Sequence, residues 1–193
     1  MERLIFIHIA IFSLLTNSCS QPSNNYTEPA HVKAADKVTS RCTKKIQKEH
    51  NIQLIGSGGS MMDDIRKIFL HFTDNKPHTI EQARKLIIQI TEEILLEFNS
   101  DEDVRQYLYN FPFTPSNIEI MLSFKRHESN SAINSIDFVS KGPSTIDYYN
   151  FDKNKEKYVE VSEEPYEEAL QKLHQNDSRT TRPTNAITSQ EEV

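Results

Sequence analysis

Apolar residues recur along this chain with two different periods. Over residues 32–50 they step at helical spacing, with Ala35, Val38, Cys42 and Ile46 on one stripe and charges on the other faces. A short strand is predicted over 52–55, followed by a loop, Gly56-Ser57-Gly58-Gly59-Ser60. Residues 67–73 alternate Ile68, Leu70 and Phe72 against Lys67, Phe69 and His71, which predicts a strand. The pattern then returns to helical spacing over 80–98, where Ile80, Ala83, Ile87, Ile90, Ile94 and Phe98 form a continuous stripe. Thr79 and Gln82 stand in capping-box positions at its start. A short second helix is expected over 101–109, ended by Pro112 and Pro115.

Beyond Pro115 the period shortens to two. Strands are predicted over 118–124, 133–140, 145–151 and 157–161, with a reverse turn at Lys141-Gly142-Pro143-Ser144. Pro165 opens a last helix over 166–174, in the first turn where proline is tolerated. Helices and strands come in blocks with short later turns. That predicts an α+β fold, an antiparallel sheet of about four to six strands with helices packed on one face.

The two ends of the chain read differently. Glu2 and Arg3 precede a twelve-residue apolar run, 4–15, too short to span a bilayer and placed as in a secretory signal peptide. Cys19 follows Ser18 directly, and residues 15–19 resemble the lipobox of bacterial lipoproteins, with Thr16 where that family usually has Leu. The stretches 112–120 and 164–170 are similar to segments of small bacterial lipoproteins that bring no activity with them. The resemblance implies lipidation of Cys19 and removal of residues 1–18. With Ser20 after the cysteine, it also implies sorting to the outer membrane, facing the periplasm. Several acyl chains hold durably, each buried methylene contributing about 0.8 kcal/mol. The expected organisation is a signal at 1–18, a tether at 19–31, one domain at 32–174 and a disordered polar tail at 175–193.

Composition narrows the function. The 193 residues carry a net charge of −6, which argues against nucleic acid as a partner. Charge is uneven: Lys33, Lys37, Arg41, Lys44, Lys45 and Lys48 make the first helix basic, whereas Glu92, Glu93, Glu97 and Asp101–Asp103 are acidic. The basic helix can face anionic headgroups, but mutual attraction between the two stretches is the simpler expectation. Cys42 falls on the apolar stripe and is expected to be a buried small hydrophobe.

Candidate chemistry is sparse. The Gly56, Ser57, Gly58, Gly59, Ser60 loop can offer several N–H groups to an anion, although it matches neither a Walker A loop nor a dinucleotide fingerprint. A flexible bend explains it more simply. The histidines form no HExxH, HxH or Cys/His cluster, so neither a metal nor a cofactor is expected, and Asp63-Asp64 reads as solvated surface. Serine hydrolysis using Ser57 or Ser60 with His71 or His78 can be drawn but has no elbow motif behind it. Glu163-Glu164 and Glu167-Glu168 suit a helix start. Aromatic residues gather at Tyr107–Phe113 and at Tyr148, Tyr149, Phe151, Tyr158 and Tyr166, where sheet packing is a simpler reading than glycan binding.

The leading expectation is a non-enzymatic periplasmic lipoprotein, anchored in the lipid bilayer through acylated Cys19 and binding an envelope protein or another ligand. The alternatives are an enzyme or small-anion binder using the Gly56–Ser60 loop, and a secreted soluble protein cut without lipidation.

Overall fold

A computed structural model describes residues 27–125 and 135–180. Helix α1 (Ala30–His50) leads into β1 (Gln53–Ser60) and β2 (Lys67–Asp74). A two-residue strand β3 (His78–Thr79) precedes α2 (Ile80–Ser100) and the single turn α3 (Glu102–Arg105). A 3₁₀ turn at Pro115–Asn117 starts β4 (Ile118–Phe124). Then come β5 (Ser135–Ile136), β6 (Phe138–Lys141), β7 (Thr145–Asp152), β8 (Lys157–Pro165) and α4 (Tyr166–Thr180).

Six strands form one sheet in the order β1-β2-β4-β6-β7-β8, and β3 pairs with β5 in a two-stranded ribbon. The fold is α+β. Every pairing in the main sheet is antiparallel except β2 with β4, which run parallel in register from Ile68–Ile118 to Asp74–Phe124. This one departure from an all-antiparallel sheet follows from α2, which lies between the two strands in sequence. A helical crossover returns the chain to the same end of the sheet, as parallel neighbours require.

The core lies on one face of the sheet. Along β2 and β4 buried residues alternate strictly with half-buried ones, and Ile68, Leu70, Phe72, Ile118, Ile120 and Leu122 point the same way. They join Val38, Cys42 and Ile46 of α1, the stripe of α2 from Ala83 to Phe98, and Tyr166 and Ala169 of α4 in one cluster. The capping box at the start of α2 is present: Thr79 Oγ1 accepts from the Gln82 amide at 3.3 Å, and Gln82 Oε1 accepts from the Thr79 amide at 2.9 Å.

Boundaries moved where local signals were weak. The α1 helix begins at Ala30, inside the stretch read as tether, and α4 continues to Thr180, into the stretch read as tail. The second short helix is one turn, with Asp101 as its cap, because its turn ends at Gln106. Pro165 ends β8, opposite Thr145 in the pairing with β7, and α4 starts after it at Tyr166. The signal, Cys19 and most of the tether and tail lie outside the described residues. Among the described residues no helix is long and apolar enough to cross a membrane.

Candidate functional site

The five residues Gly56, Ser57, Gly58, Gly59 and Ser60 are not a loop; they are the second half of β1, paired with β2 from Gly56–His71 to Ser60–Lys67. Glycine adopts extended backbone as readily as a bend, so its abundance alone did not mark a turn. In a strand, successive N–H groups point in opposite directions and cannot converge on one anion. Ser57 faces α1 and lines an open cleft of about 430 Å³ with Thr39, Ser40, Thr43, Lys44 and Gln47. Gly56 and Gly58 lie on the opposite face. No ion-binding cradle results.

The serine–histidine pairings drawn from sequence do not form either. His71 Nε2 lies 2.8 Å from Ser123 Oγ on β4. His78 Nε2 lies 2.8 Å from Asp74 Oδ2, and its ring packs against Phe124 at 4.4 Å between centroids. The His71–Ser123 pair resembles part of an acyl-transfer triad, and burial pushes the His71 imidazole down. Among the described residues, however, no carboxylate hydrogen-bonds its other ring nitrogen, so the orienting third member is missing.

Two buried charges also have structural explanations. Glu164, read from sequence as part of a helix start, is the next-to-last residue of β8 and is 5 % exposed. It accepts from Arg84 at 2.6 Å, Lys172 at 2.7 Å and the Tyr148 hydroxyl at 2.5 Å. Burial by itself would raise its pKa, but these three donors outweigh that and hold the carboxyl below its ordinary range. Lys141, read as part of a turn, is the last residue of β6 and points into the core, where its ammonium donates to the carbonyls of Pro115 and Ile118. Cys42 is a buried free thiol, pushed up to about 12 by burial.

Three of the six basic residues of α1, Lys37, Arg41 and Lys45, are engaged by carboxylates within the fold. Arg41 pairs with Glu97 at 3.0 Å and Asp101 at 3.1 Å, and Lys37 reaches Asp103 at 3.0 Å. The electrostatic complementarity expected between the two stretches is therefore intramolecular, which leaves fewer free cations for a lipid surface.

What stands open is the sheet face opposite the helices. Successive partners place Gly56, His71, Met121, Ser140, Asp147 and Glu163 in one row across it. The neighbouring row runs through Thr73, Ser123, Phe138 and Tyr149 to Glu160. Toward β8 the face becomes aromatic. Phe138 and Tyr149 stack at 5.1 Å, Tyr158 closes on Phe138 at 5.9 Å, and Phe151 meets Tyr158 edge-on at 5.4 Å. Tyr158 is 53 % exposed.

This aromatic group sits in a negative field. Burial pushes the Tyr149 phenol up, and Asp147, Glu160 and Glu163 push it further. No lysine or arginine among the described residues pairs with any of these three carboxylates. Elsewhere on the face Lys67 is taken by Glu119 at 2.5 Å. Sequence reading noted the tyrosines but missed Phe138 and the acidic rim, because both are assembled by cross-strand register. The alternation in 157–161 was the only available signal.

No family model, curated protein or solved structure matches this chain.

Proposed function

We propose that this chain is a non-enzymatic binding module of the bacterial envelope, anchored in the bilayer through acylated Cys19, that receives a cationic protein segment on its open sheet face. The observation that supports the reading is the coincidence of half-exposed aromatic rings with three carboxylates lacking a described basic partner, Asp147, Glu160 and Glu163 around Tyr149. An arginine or lysine side chain gains twice there, from the ring faces and from the rim charge. An exposed cation–π contact contributes about 0.5–1 kcal/mol, and each rim pair adds a similar or smaller amount. The partner class is therefore a protein surface carrying Arg or Lys beside apolar side chains.

The anchor follows from the lipobox-like residues 15–19 and would place the domain beside the outer membrane, facing the periplasm. With α1 starting at Ala30, a tether of about ten residues reaches roughly 17 Å on average, enough to let the sheet face turn toward a partner. Two measurements test the reading. The N-terminal mass of protein recovered from a bacterial host is expected to be that of triacylated Cys19, and the Cys19→Ala variant is expected to leave the membrane fraction. Titration with an arginine-containing peptide is expected to give binding that Tyr158→Ala weakens. Unmodified Cys19 removes the anchor, and binding indifferent to Tyr158 removes the surface.

A further inference from the structure

Folding brings together three side chains whose sequence spacing matches no metal motif. Glu49 and His50 close the last turn of α1, and Glu93 lies on α2; one donor atom from each falls within 4.8 Å of the other two. His50 Nε2 is 2.8 Å from Glu93 Oε1. The second oxygen of Glu93, Oε2, is sealed from solvent and has no hydrogen-bond partner. A buried carboxylate oxygen left unmet is costly, and a second carboxylate close by adds repulsion. The backbone deepens the negative potential, since the final carbonyls of α1 carry the negative end of its dipole. Asn51, at φ 56° in the left-handed region, ends the helix directly after His50 and fixes where those carbonyls stop.

We propose that Glu49, His50 and Glu93 bind a divalent transition-metal ion of the zinc type, clamping the end of α1 onto α2. One imidazole nitrogen with two carboxylate oxygens is a zinc-type donor set, whereas calcium and magnesium take oxygen ligands throughout. Bonds of about 2.0–2.2 Å around a tetrahedral ion put the donor atoms roughly 3.3 Å apart. His50 and Glu93 therefore open slightly from their direct hydrogen bond, and the exposed Glu49 swings inward. Water takes the fourth position. The ion meets the orphaned oxygen's field and cancels the repulsion between the two carboxylates. The direct His50–Glu93 hydrogen bond without an ion is the competing arrangement, and it needs no Glu49.

The test uses the full-length chain in detergent, purified without a histidine tag and stripped with chelator, titrated with Zn²⁺ by calorimetry. The expected result is one site, weakened about tenfold or more by each of His50→Ala, Glu93→Gln and Glu49→Gln and untouched by His174→Ala. Zinc should also raise the melting temperature of the native chain and leave that of Glu49→Gln nearly unmoved. Because Glu49 is exposed, Glu49→Gln keeps the fold and keeps the test decisive if the other two variants are unstable. Absence of binding at about 100 µM zinc overturns the proposal. So does binding that survives all three variants, which would put the ion elsewhere, and so does equal binding of calcium.

Discussion

The Nζ of Lys141 lies 2.6 Å from the carbonyl oxygen of Ile118, on a side chain only 1 % exposed. It also donates to the Pro115 carbonyl and sits 5.2 Å from the centre of the Tyr166 ring. An ammonium thus ties the 3₁₀ turn to the start of β4 and to the sheet, with carbonyls and an aromatic face as its counterparts. Burial pulls its pKa down to about 8 from 10.5.

That depression sets a pH dependence with a definite sign. Between about pH 8 and 10.5 the unfolded chain holds a proton on Lys141 that the folded chain has released, so stability rises with pH across that window. The gain is on the order of 3 kcal/mol at most. Tyr148 and Tyr166 act oppositely: burial raises both phenols above 10.0, so they favour unfolding once the unfolded tyrosines ionise. Denaturant melts of the native chain should show stability climbing from pH 8 toward 10 and falling beyond. Lys141→Met should abolish the climb; a native profile flat from pH 8 to 10 would contradict the burial argument.

Glu164 gives the acid-side counterpart. Its folded pKa is lowered, so its contribution is present above about 4.5 and lost as pH falls through the folded value. Glu164→Gln leaves Arg84, itself half-buried, without its carboxylate. The expected loss is about 3 kcal/mol at neutral pH, read by urea unfolding, with a smaller loss in acid. A variant as stable as the native chain at pH 7 would show that Lys172 and Tyr148 do not depend on this carboxylate.

The two central glycines of β1 should respond differently to alanine. A Cβ at Gly58 meets nothing within 4 Å, whereas one at Gly59 would come within 2.3 Å of the Lys67 carbonyl oxygen and 2.6 Å of Met61 Cε. Gly58→Ala is expected to change stability by less than about 0.5 kcal/mol, and Gly59→Ala to cost about 1–3 kcal/mol by forcing β1 from β2. Thermal melts of the two variants decide it. Equal melting temperatures would mean that β1 shifts freely at its free edge.

Cys42 should be chemically silent in the folded chain. Its thiol is 1 % exposed and pushed up to about 12 by burial, with Glu97 and Glu93 adding to the shift. Alkylation followed by peptide mass analysis should find Cys42 unmodified at pH 8 until denaturant is added. Rapid labelling without denaturant would mean that α1 opens locally from α2.

Much of this fold was readable from periodicity, because its clearest elements bury one face against one core. The stripe of α2, the Thr79–Gln82 capping box and the alternation of β4 are each local patterns with one interpretation. What escaped was non-local. Lys141 and Glu164 are charged residues at strand ends, and only tertiary partners make their burial tolerable. The Gly56–Ser60 stretch lacked side chains that could signal a strand, and its pairing is set by β2. The candidate surface was half visible: Tyr149 and Tyr158 were in view, but Phe138 and the carboxylates Asp147, Glu160 and Glu163 meet them only through register.

The central claim concerns that face, and a calorimetric titration tests it most directly. The full-length chain in detergent is titrated with a short peptide alternating arginine and leucine, and with its glutamate counterpart. The account predicts binding of the arginine peptide alone, weakening as salt rises. Tyr158→Ala should reduce affinity about two- to fivefold, and Asp147→Asn with Glu163→Gln should reduce it further. Neutralising Glu102 on α3, far in sequence from the sheet rim, should leave it unchanged. Equal binding of the glutamate peptide, or affinity that the rim and ring variants do not move, would contradict the open sheet face as the binding surface.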